Sequence, residues 1–271
     1  MTPVFANSAW ANAPQAFIQK GGAWKNLALK VRYGLIRHPD HGAILIDTGY
    51  THETTQGPHR GCALRLYTGI LKPKLNEMHQ PHQFLSHFGL SEHDIKYVII
   101  THFHADHISG LKQFPNARFI GCGDAFARIR SNNTIRNLSH GVFTELLPED
   151  FAERFTSLNS LPRSDTSIFD LPKGTDLFGD GTVKSIPLPG HAYGHFGVLF
   201  QKEKTPLLYA VDVQWLQSAL HGKSPGFPSS LIADDTRQLI ASSDIVAHFQ
   251  SRGGTVVLCH DPSDTPFDIV T

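Results

Sequence analysis

The chain has 271 residues, with 24 basic and 24 acidic side chains, so it offers no strong electrostatic attraction for nucleic acid or for an anionic membrane. Apolar residues make up 40% of the sequence and charged residues 18%, a balance typical of a globular protein and not of a disordered one. We therefore predict a small-molecule substrate, no nucleic-acid or membrane partner, and a monomer or homodimer.

The cysteines and the N-terminal sequence indicate the compartment. Cys62, Cys122 and Cys259 have no C-x-x-C spacing, which predicts neither a disulfide framework nor a thiolate zinc site. The first residues lack the basic and continuous apolar segments of a signal peptide, and no apolar run approaches the ~18 residues that span a bilayer. We expect a cytoplasmic protein.

Short apolar runs, each followed by a polar, glycine- or histidine-bearing loop, recur along the chain. They are rich in valine, isoleucine and leucine and are bounded by turn formers, which is typical of buried strands. The runs cover residues 43–46, 97–100, 183–188, 207–211 and 255–258.

Helical segments alternate with these runs. Ser91 is a suitable N-cap for a short turn over residues 92–94. Residues 124–130 and 234–250 carry apolar side chains at spacings of three and four, which predicts amphipathic helices. Interleaved strands and helices indicate an α/β layered domain.

No repeat or linker divides the chain, so we predict a single domain over residues 1–271. Residues 51–90 and 131–180 fit the alternating pattern least well. Because connecting segments on a rigid scaffold commonly carry specificity, we expect these two segments to cover the site and select the substrate.

Histidine is the residue whose distribution is most informative. Of 17 histidines, three fall in one short motif with an aspartate: His102, His104, Asp106 and His107. Histidines two apart after a strand can point the same way, and the next two side chains can reach a neighbouring point. Imidazole and carboxylate suit Zn²⁺, Mn²⁺ or Fe, whereas the alternative is a polar loop with incidental histidines.

Three further candidate ligands each follow an apolar run. His191, Asp212 and His260 come just after residues 183–188, 207–211 and 255–258. Each residue alone would be weak evidence for a metal site, because a histidine at a strand end is more often a hydrogen-bonded structural residue. Together with the motif they predict a dinuclear metal site of seven side chains, since strand ends at one sheet edge converge.

These residues carry a family resemblance. The phrases ILIDTG, THFHADHISG and PGHAYGH, the aspartate after LLYAV and the CHD near the end resemble the metallo-β-lactamase superfamily. The resemblance extends from Asp47 to His260 and is greatest, in ligand spacing, to the branch containing N-acyl-homoserine lactonases. It implies an αββα sandwich, with two mixed β-sheets flanked by helices.

The resemblance also implies a role for each ligand. Two divalent cations are expected, zinc first, with manganese or iron as alternatives. Asp47 would not bind a metal itself but would orient the loop that carries the ligands. The first metal would take His102, His104 and His191, and the second Asp106, His107 and His260, with Asp212 and a hydroxide bridging them.

This ligand set predicts a hydrolase. Two metals lower the pKa of a bridging water, so we expect hydroxide to attack a carboxylic ester, lactone or thioester. Asp106 is the candidate to accept the proton or to pass it to the leaving group. No serine or cysteine nucleophile is needed, and Cys259 is better explained as a small buried residue.

The chain departs from the lactonases at one position. Where they carry a tyrosine that helps polarise the substrate carbonyl, three residues after the bridging aspartate, this chain has Trp215, whose indole cannot act as an acid. Tyr193 is a candidate substitute, and Trp215 and Phe103 are candidate walls of the substrate pocket. Two explanations stay open for His195. It could have a functional role, either orienting a ligand loop or touching substrate, or it could only form a structural hydrogen bond within its turn.

Other functions remain as alternatives. The same site could hydrolyse a β-lactam or a glutathione thioester, although the sequence has no basic cluster for glutathione carboxylates. From other classes, a diiron redox protein or a catalytically silent metal-binding protein would use the same ligands.

Overall fold

The computed structural model describes residues 2–164, 168–201, 203, 205–220, 225–227 and 232–270. The strands are β1 (Val4–Pro14), β2 (Asn26–His38), β3 (Gly42–Ile46), β4 (Lys74–Leu75), β5 (Ile95–Ile100), β6 (Arg118–Gly121), β7 (Phe155–Ser157), β8 (Arg163–Ser164), β9 (Gly174–Asp176), β10 (Val183–Pro187), β11 (Phe196–Phe200), β12 (Leu207–Val211) and β13 (Thr255–Leu258).

The α-helices are α1 (Gln15–Ile18), α2 (His52–Thr55), α3 (Cys62–Leu71), α4 (Pro81–Ser86), α5 (Ala105–Ile108), α6 (Gly123–Ser131), α7 (Thr134–Ser139), α8 (Phe151–Arg154) and α9 (Thr236–Ser251). Short 3₁₀ turns cover Glu77–His79, Glu92–Asp94, Leu111–Gln113, Thr144–Leu146, Leu158–Ser160 and Gln217–Ala219. Within the described ranges, no helix combines the length and the apolar character required to cross a bilayer.

The chain forms two compact units. The N-terminal unit comprises residues 3–12, 30–157 and 266–271, and the C-terminal unit comprises residues 1–2, 13–29 and 158–265. Within the described residues, one β-sheet lies mostly in each unit. The prediction that residues 1–271 act as one domain stays a prediction.

The sheet of the N-terminal unit has the strand order β4-β1-β2-β3-β5-β6-β7. β2 and β3 are antiparallel, whereas β3, β5, β6 and β7 are parallel to one another. Parallel strands are covered on both faces, which explains why β3 and the second half of β5 are continuous buried apolar runs. Because Ile46 pairs with Ile99, the residues that follow β3 and β5 emerge side by side.

The sheet of the C-terminal unit has the order β13-β12-β11-β10-β9-β8. β12 and β13 are parallel, and the other neighbours are antiparallel. β10, β12 and β13 therefore run in the same direction and end at the same edge of this sheet. His191 follows the end of β10, Asp212 comes directly after β12, and His260 follows the end of β13.

Helix α9 packs against this second sheet through one apolar face. Leu239, Val246 and Phe249 are buried at helical spacing, and the last two belong to a core cluster with Leu208 and Leu258 of the strands. The Asp235 side chain caps the helix by accepting hydrogen bonds from two backbone N–H groups of the first turn. The helix predicted from residue 234 is therefore confirmed and begins two residues later.

The five predicted strands and the capped turn at Ser91 are all present. The predicted α/β class with two mixed β-sheets and helices is confirmed. The apolar patch inside residues 51–90 forms α3, and residues 131–180 contain α7, α8 and short strands; their role over the substrate stays a prediction.

His79 is a buried histidine outside the predicted site, in the N-terminal unit. Its Nδ1 accepts a hydrogen bond from the Asn7 N–H at 3.2 Å, and its carbonyl accepts one from the Tyr33 hydroxyl at 3.0 Å. Burial lowers the pKa of His79, because the charged imidazolium is poorly solvated there. The hydrogen bond with Asn7 and the charge of Asp268 raise this pKa, whereas His87 and Lys30 lower it, and the net shift is downward.

The His79 pKa predicts a loss of stability in mild acid. The folded-state pKa lies below the ordinary value of 6.5, so below that pH the unfolded chain takes up a proton that the folded chain does not. The His79 contribution is present above pH 6.5 and is lost as the pH falls. We expect the free energy of unfolding in urea to decline more steeply between pH 7.5 and 5.5 for wild type than for His79→Gln. His82→Gln, at an exposed side chain, should follow wild type, and equal slopes for all three would contradict the prediction.

Candidate metal centre

Asp47 follows β3 and lies beside Thr101, which follows β5. Its Oδ1 accepts a hydrogen bond from the Thr101 N–H at 2.9 Å, and its Oδ2 accepts one from the Thr101 hydroxyl at 2.7 Å. Asp47 has a φ of +58°, a left-handed conformation that aspartate tolerates better than most residues. The turn therefore holds a fully buried carboxylate against Thr101, the residue that precedes the histidine motif.

This carboxylate orients His107. Oδ2 of Asp47 lies 2.8 Å from Nδ1 of His107. A carboxylate partner places the imidazole proton on Nδ1, so that the ring presents Nε2 as the ligand atom. Burial raises the pKa of the Asp47 carboxyl, and the hydrogen bonds from His107 and Thr101 act in the opposite direction.

The motif histidines form a buried cluster at the start of α5. The ring centroid of His102 lies 4.0 Å from that of His107 and 4.6 Å from that of His104. Oδ2 of Asp106 lies 3.5 Å from Nε2 of His107. All four side chains are buried. Buried carboxylates and imidazoles in such a cluster are typical of cation binding, and this donor set fits Zn²⁺, Mn²⁺ or Fe.

A glycine that the sequence did not single out packs against this cluster. Gly141 has a φ of +68°, and a Cβ built on it would lie 3.1 Å from Cδ2 of His104. A side chain at residue 141 would therefore press on the His104 ring. The contact between Gly141 and His104 becomes apparent only from the structure, in which the loop after α7 lies against the histidine motif.

In the C-terminal unit the other three predicted ligands come together. Oδ2 of Asp212 lies 3.2 Å from Nε2 of His191 and 3.3 Å from Nε2 of His260. All three side chains are buried. Two imidazole nitrogens that face one carboxylate oxygen form a second donor set that fits a divalent cation.

The start of α9 fixes the loop that carries His191. Gly190 has a φ of +123°, and an added Cβ would lie 2.0 Å from the backbone nitrogen of Leu239. The backbone N–H groups of Asp234 and Asp235 donate to the carbonyls of His191 and Gly190. Only glycine fits this close approach, so the PGH phrase is explained by helix packing as well as by the ligand.

Trp215 lies next to the Asp212 donor set. Its ring meets the His260 ring edge-on, with centroids 5.4 Å apart and an interplanar angle of 74°. Trp215, His191 and Asp212 line a pocket of the C-terminal unit whose other walls are mostly apolar, including Ile18 and Leu239. The indole is therefore one wall of a pocket beside the predicted ligands.

The remaining predicted site residues have different surroundings. Tyr193 is 45% exposed. Phe103 is buried among Phe126, Phe151 and Phe155 in the N-terminal unit, as a core residue would be. The prediction that Phe103 or Tyr193 contacts the substrate stays a prediction. His195 is buried, with both ring nitrogens hydrogen-bonded to the backbone.

The sequence and the structure are similar to those of known proteins. The sequence profile of the metallo-beta-lactamase superfamily matches residues 28–205. A relative from Rhizobium radiobacter, named N-acyl homoserine lactonase AttM, is 30% identical over 254 residues, which cover 86% of this chain and 82% of the relative.

Solved structures share the fold. A B. thuringiensis AiiA variant with N-decanoyl-L-homoserine bound at its active site superposes with a TM-score of 0.68, at 17% identity, covering 97% of this chain and 95% of that one. AidC, described as a dizinc quorum-quenching lactonase in complex with a product, superposes with a TM-score of 0.59, at 16% identity, covering 96% and 85% of the two chains.

Proposed function

This chain belongs to the metallo-beta-lactamase superfamily, and we propose that it is a metal-dependent hydrolase of the lactonase type, acting on a lactone or a related carboxylic ester or thioester. The observation that supports this most is the buried pair of imidazoles facing Oδ2 of Asp212. The relatives named N-acyl homoserine lactonase support the reaction class.

The proposed ligand set is the one that the sequence predicts. His102, His104 and His191 would hold one divalent cation, and Asp106, His107 and His260 the other, with Asp212 shared between them. When bound, such a pair supplies Lewis acidity that lowers the pKa of a water and polarises the substrate carbonyl. Zinc is the first expectation, in line with the dizinc lactonase of the same fold.

The chain's own residues have separate tasks in this proposal. Asp47 keeps the proton of His107 on Nδ1, so that Nε2 stays available as a ligand atom. Asp106 accepts the proton from the attacking water and passes it to the leaving-group oxygen. The buried setting of both aspartates excludes bulk water from these steps.

Among the described residues, the side chains that line the pocket beside Asp212 are apolar apart from the proposed ligands and Gln214. No Lys or Arg is found among the described residues that line this pocket, so they offer no counter-charge for an anionic acyl group. We therefore propose an uncharged lactone or ester whose apolar part contacts Trp215. The indole contributes area and stacking but no acid proton.

The proposal is tested by assaying the chelator-stripped chain and the same chain reloaded with Zn²⁺, Mn²⁺ or Fe²⁺. The substrates are γ-lactones, N-acyl homoserine lactones, p-nitrophenyl acetate, a thioester, a glutathione thioester and a β-lactam. We expect metal-dependent turnover that is greatest for lactones. Turnover of the glutathione thioester or the β-lactam alone would favour those alternatives, and no turnover of any substrate would contradict the proposal.

Asp47 gives a prediction about metal affinity. Asp47→Asn removes the charge that holds the His107 proton, so we expect metal affinity to fall about 10- to 100-fold, as for other groups that orient a ligand. Competition with a chromophoric chelator measures it. Asp150→Asn removes a carboxylate of the same unit whose side chain is 52% exposed, and it should bind metal as wild type does. Wild-type affinity in Asp47→Asn would contradict the assigned role.

Trp215 gives a prediction about rate. In the lactonases that the sequence resembles, a tyrosine at this position helps polarise the carbonyl. Trp215→Tyr restores a phenol donor, and we expect kcat for an unactivated lactone to rise about 10-fold or more, somewhat less than the 10²–10³ that one well-placed donor can contribute. Trp215→Phe adds no donor and should give no rise. An equal effect of both substitutions would show that the hydroxyl has no role.

A further inference from the structure

We infer that His195 is a positioning residue, whose imidazole fixes the backbone that carries Asp212 and His191 and binds neither metal nor substrate. The inference rests on the proposed function, because it requires Asp212 and His191 to be ligands. It assigns a role to a histidine that the ligand set leaves out.

Both ring nitrogens of His195 are committed to the backbone. Nδ1 lies 2.7 Å from the Leu188 carbonyl oxygen, which can only accept a hydrogen bond, so Nδ1 carries the proton. The Asp212 N–H donates to Nε2 at 3.3 Å, so Nε2 carries the lone pair. The network thus assigns a neutral ring with the proton on Nδ1. The residue is 2% exposed, which keeps water from replacing either bond.

The backbone at this point is strained. Val211, the residue before Asp212, has a φ of +54°, which is an outlier for a β-branched side chain. The register between β12 and β13 shifts between Tyr209 and Val211, as at a β-bulge. Such a conformation is energetically unfavourable and persists only where neighbouring groups hold it.

The strained turn redirects the Asp212 carboxylate. Bulges near active sites commonly re-aim a side chain, and here Oδ2 of Asp212 ends 3.2 Å from His191 and 3.3 Å from His260. The hydrogen bond from the Asp212 N–H to His195 and that from the Cys259 N–H to the Val211 carbonyl secure the turn on its two sides. His195 is therefore one of the groups that hold this conformation.

The same ring also anchors the loop of another ligand. Leu188, whose carbonyl accepts a hydrogen bond from Nδ1–H of His195, lies three residues before His191. Its own N–H donates to the His195 carbonyl at 3.2 Å. His195 thus joins the end of β10 to the end of β12, which a hydrogen bond confined to its own turn would not do. If Nε2 bound a cation instead, the Asp212 N–H would lose this acceptor, which is unfavourable for a buried donor.

The test compares His195→Leu, which removes both hydrogen-bonding atoms, with His195→Gln, whose amide can donate to Leu188 and accept from Asp212. Cobalt(II) is the probe, and the readouts are chelator competition and the visible d–d absorption of the bound ion. We expect His195→Leu to bind cobalt about 10- to 100-fold more weakly with an altered spectrum. We expect His195→Gln to recover at least part of both.

The following results would overturn the inference. If wild type binds two cobalt ions and His195→Leu matches its affinity and spectrum, His195 does not position the ligands. If both variants lose one equivalent of cobalt, His195 is a ligand. If wild type binds no cobalt, the proposed function fails and the inference with it. Should His195→Leu not fold, two-bond ¹H–¹⁵N spectra of wild type decide: a proton on Nδ1 supports the role, and a proton on Nε2 overturns it.

Discussion

Replacing Asp212 by asparagine is expected to lower kcat/KM for lactone hydrolysis by about 10³-fold or more, a greater loss than the 10- to 100-fold typical of residues that only support a ligand. The reason is its position: one buried carboxylate oxygen lies within 3.3 Å of the Nε2 atoms of His191 and His260. Asparagine keeps the shape but removes the charge that we propose two cations share. Steady-state kinetics with the metal-reloaded chain measures the loss.

The control for this substitution is Asp244→Asn, at an exposed position of α9, which should keep wild-type activity. Unfolding curves of both variants separate a catalytic loss from a folding defect. A kcat/KM for Asp212→Asn within 10-fold of wild type, at full metal content, would contradict the role of this carboxylate.

Replacing Asp268 by alanine is expected to lower the free energy of unfolding by about 3–5 kcal/mol, because it removes a carboxylate that pairs with the buried guanidinium of Arg32. Arg32 is fully buried. Its Nε lies 2.8 Å from Oδ1 of Asp268, and its Nη2 lies 2.8 Å from Oδ2. This paired geometry is the strongest that arginine forms with a carboxylate. Asp268 also belongs to the last segment of the N-terminal unit, where the Phe5 N–H donates to the Phe267 carbonyl.

Urea unfolding measures this effect, and the chain offers a matched control. Asp150 pairs with Arg154 at 2.8 Å, but its side chain is 52% exposed, so Asp150→Ala should cost less than about 1 kcal/mol. Replacing both Arg32 and Asp268 by leucine should recover part of the loss, since the buried guanidinium is removed together with the carboxylate, while Lys30 still loses its ion pair with Asp268. A cost below 1 kcal/mol for Asp268→Ala would show that Arg32 does not depend on this partner.

The strand ends and the metal-donor side chains could be predicted from the sequence because the donors directly follow recognisable apolar runs. Runs such as residues 97–100 and 207–211 end in loops that carry histidine or aspartate, and strands that run the same way end at the same sheet edge. That reasoning anticipated the grouping of His191, Asp212 and His260 in their unit. The expected support from Asp47 is consistent with its hydrogen bond to His107.

The long first strands were missed. β1 mixes small, polar and apolar residues without a clear period, so its burial becomes apparent only from the sheet. β2 does carry a signal, since Leu27, Leu29, Val31 and Tyr33 alternate as in a half-buried strand. The alternation therefore favours a strand over residues 27–33.

Contacts between distant segments could not be predicted. Nothing local indicates that Gly141 lies against His104, that Asp268 pairs with Arg32, or that the ring of His195 reaches the Asp212 N–H. Spacing identifies which side chains suit a metal, but the groups that hold those side chains come from other loops, whose paths depend on packing.

The most direct test of the proposed centre is anomalous diffraction from crystals of the zinc-loaded chain, recorded on both sides of the zinc absorption edge. We predict two peaks per chain, one coordinated by His102, His104 and His191 and the other by Asp106, His107 and His260, with Asp212 contacting both. The absence of zinc peaks at these side chains, or a single peak that leaves one of the two sets unused, would contradict a dinuclear hydrolase.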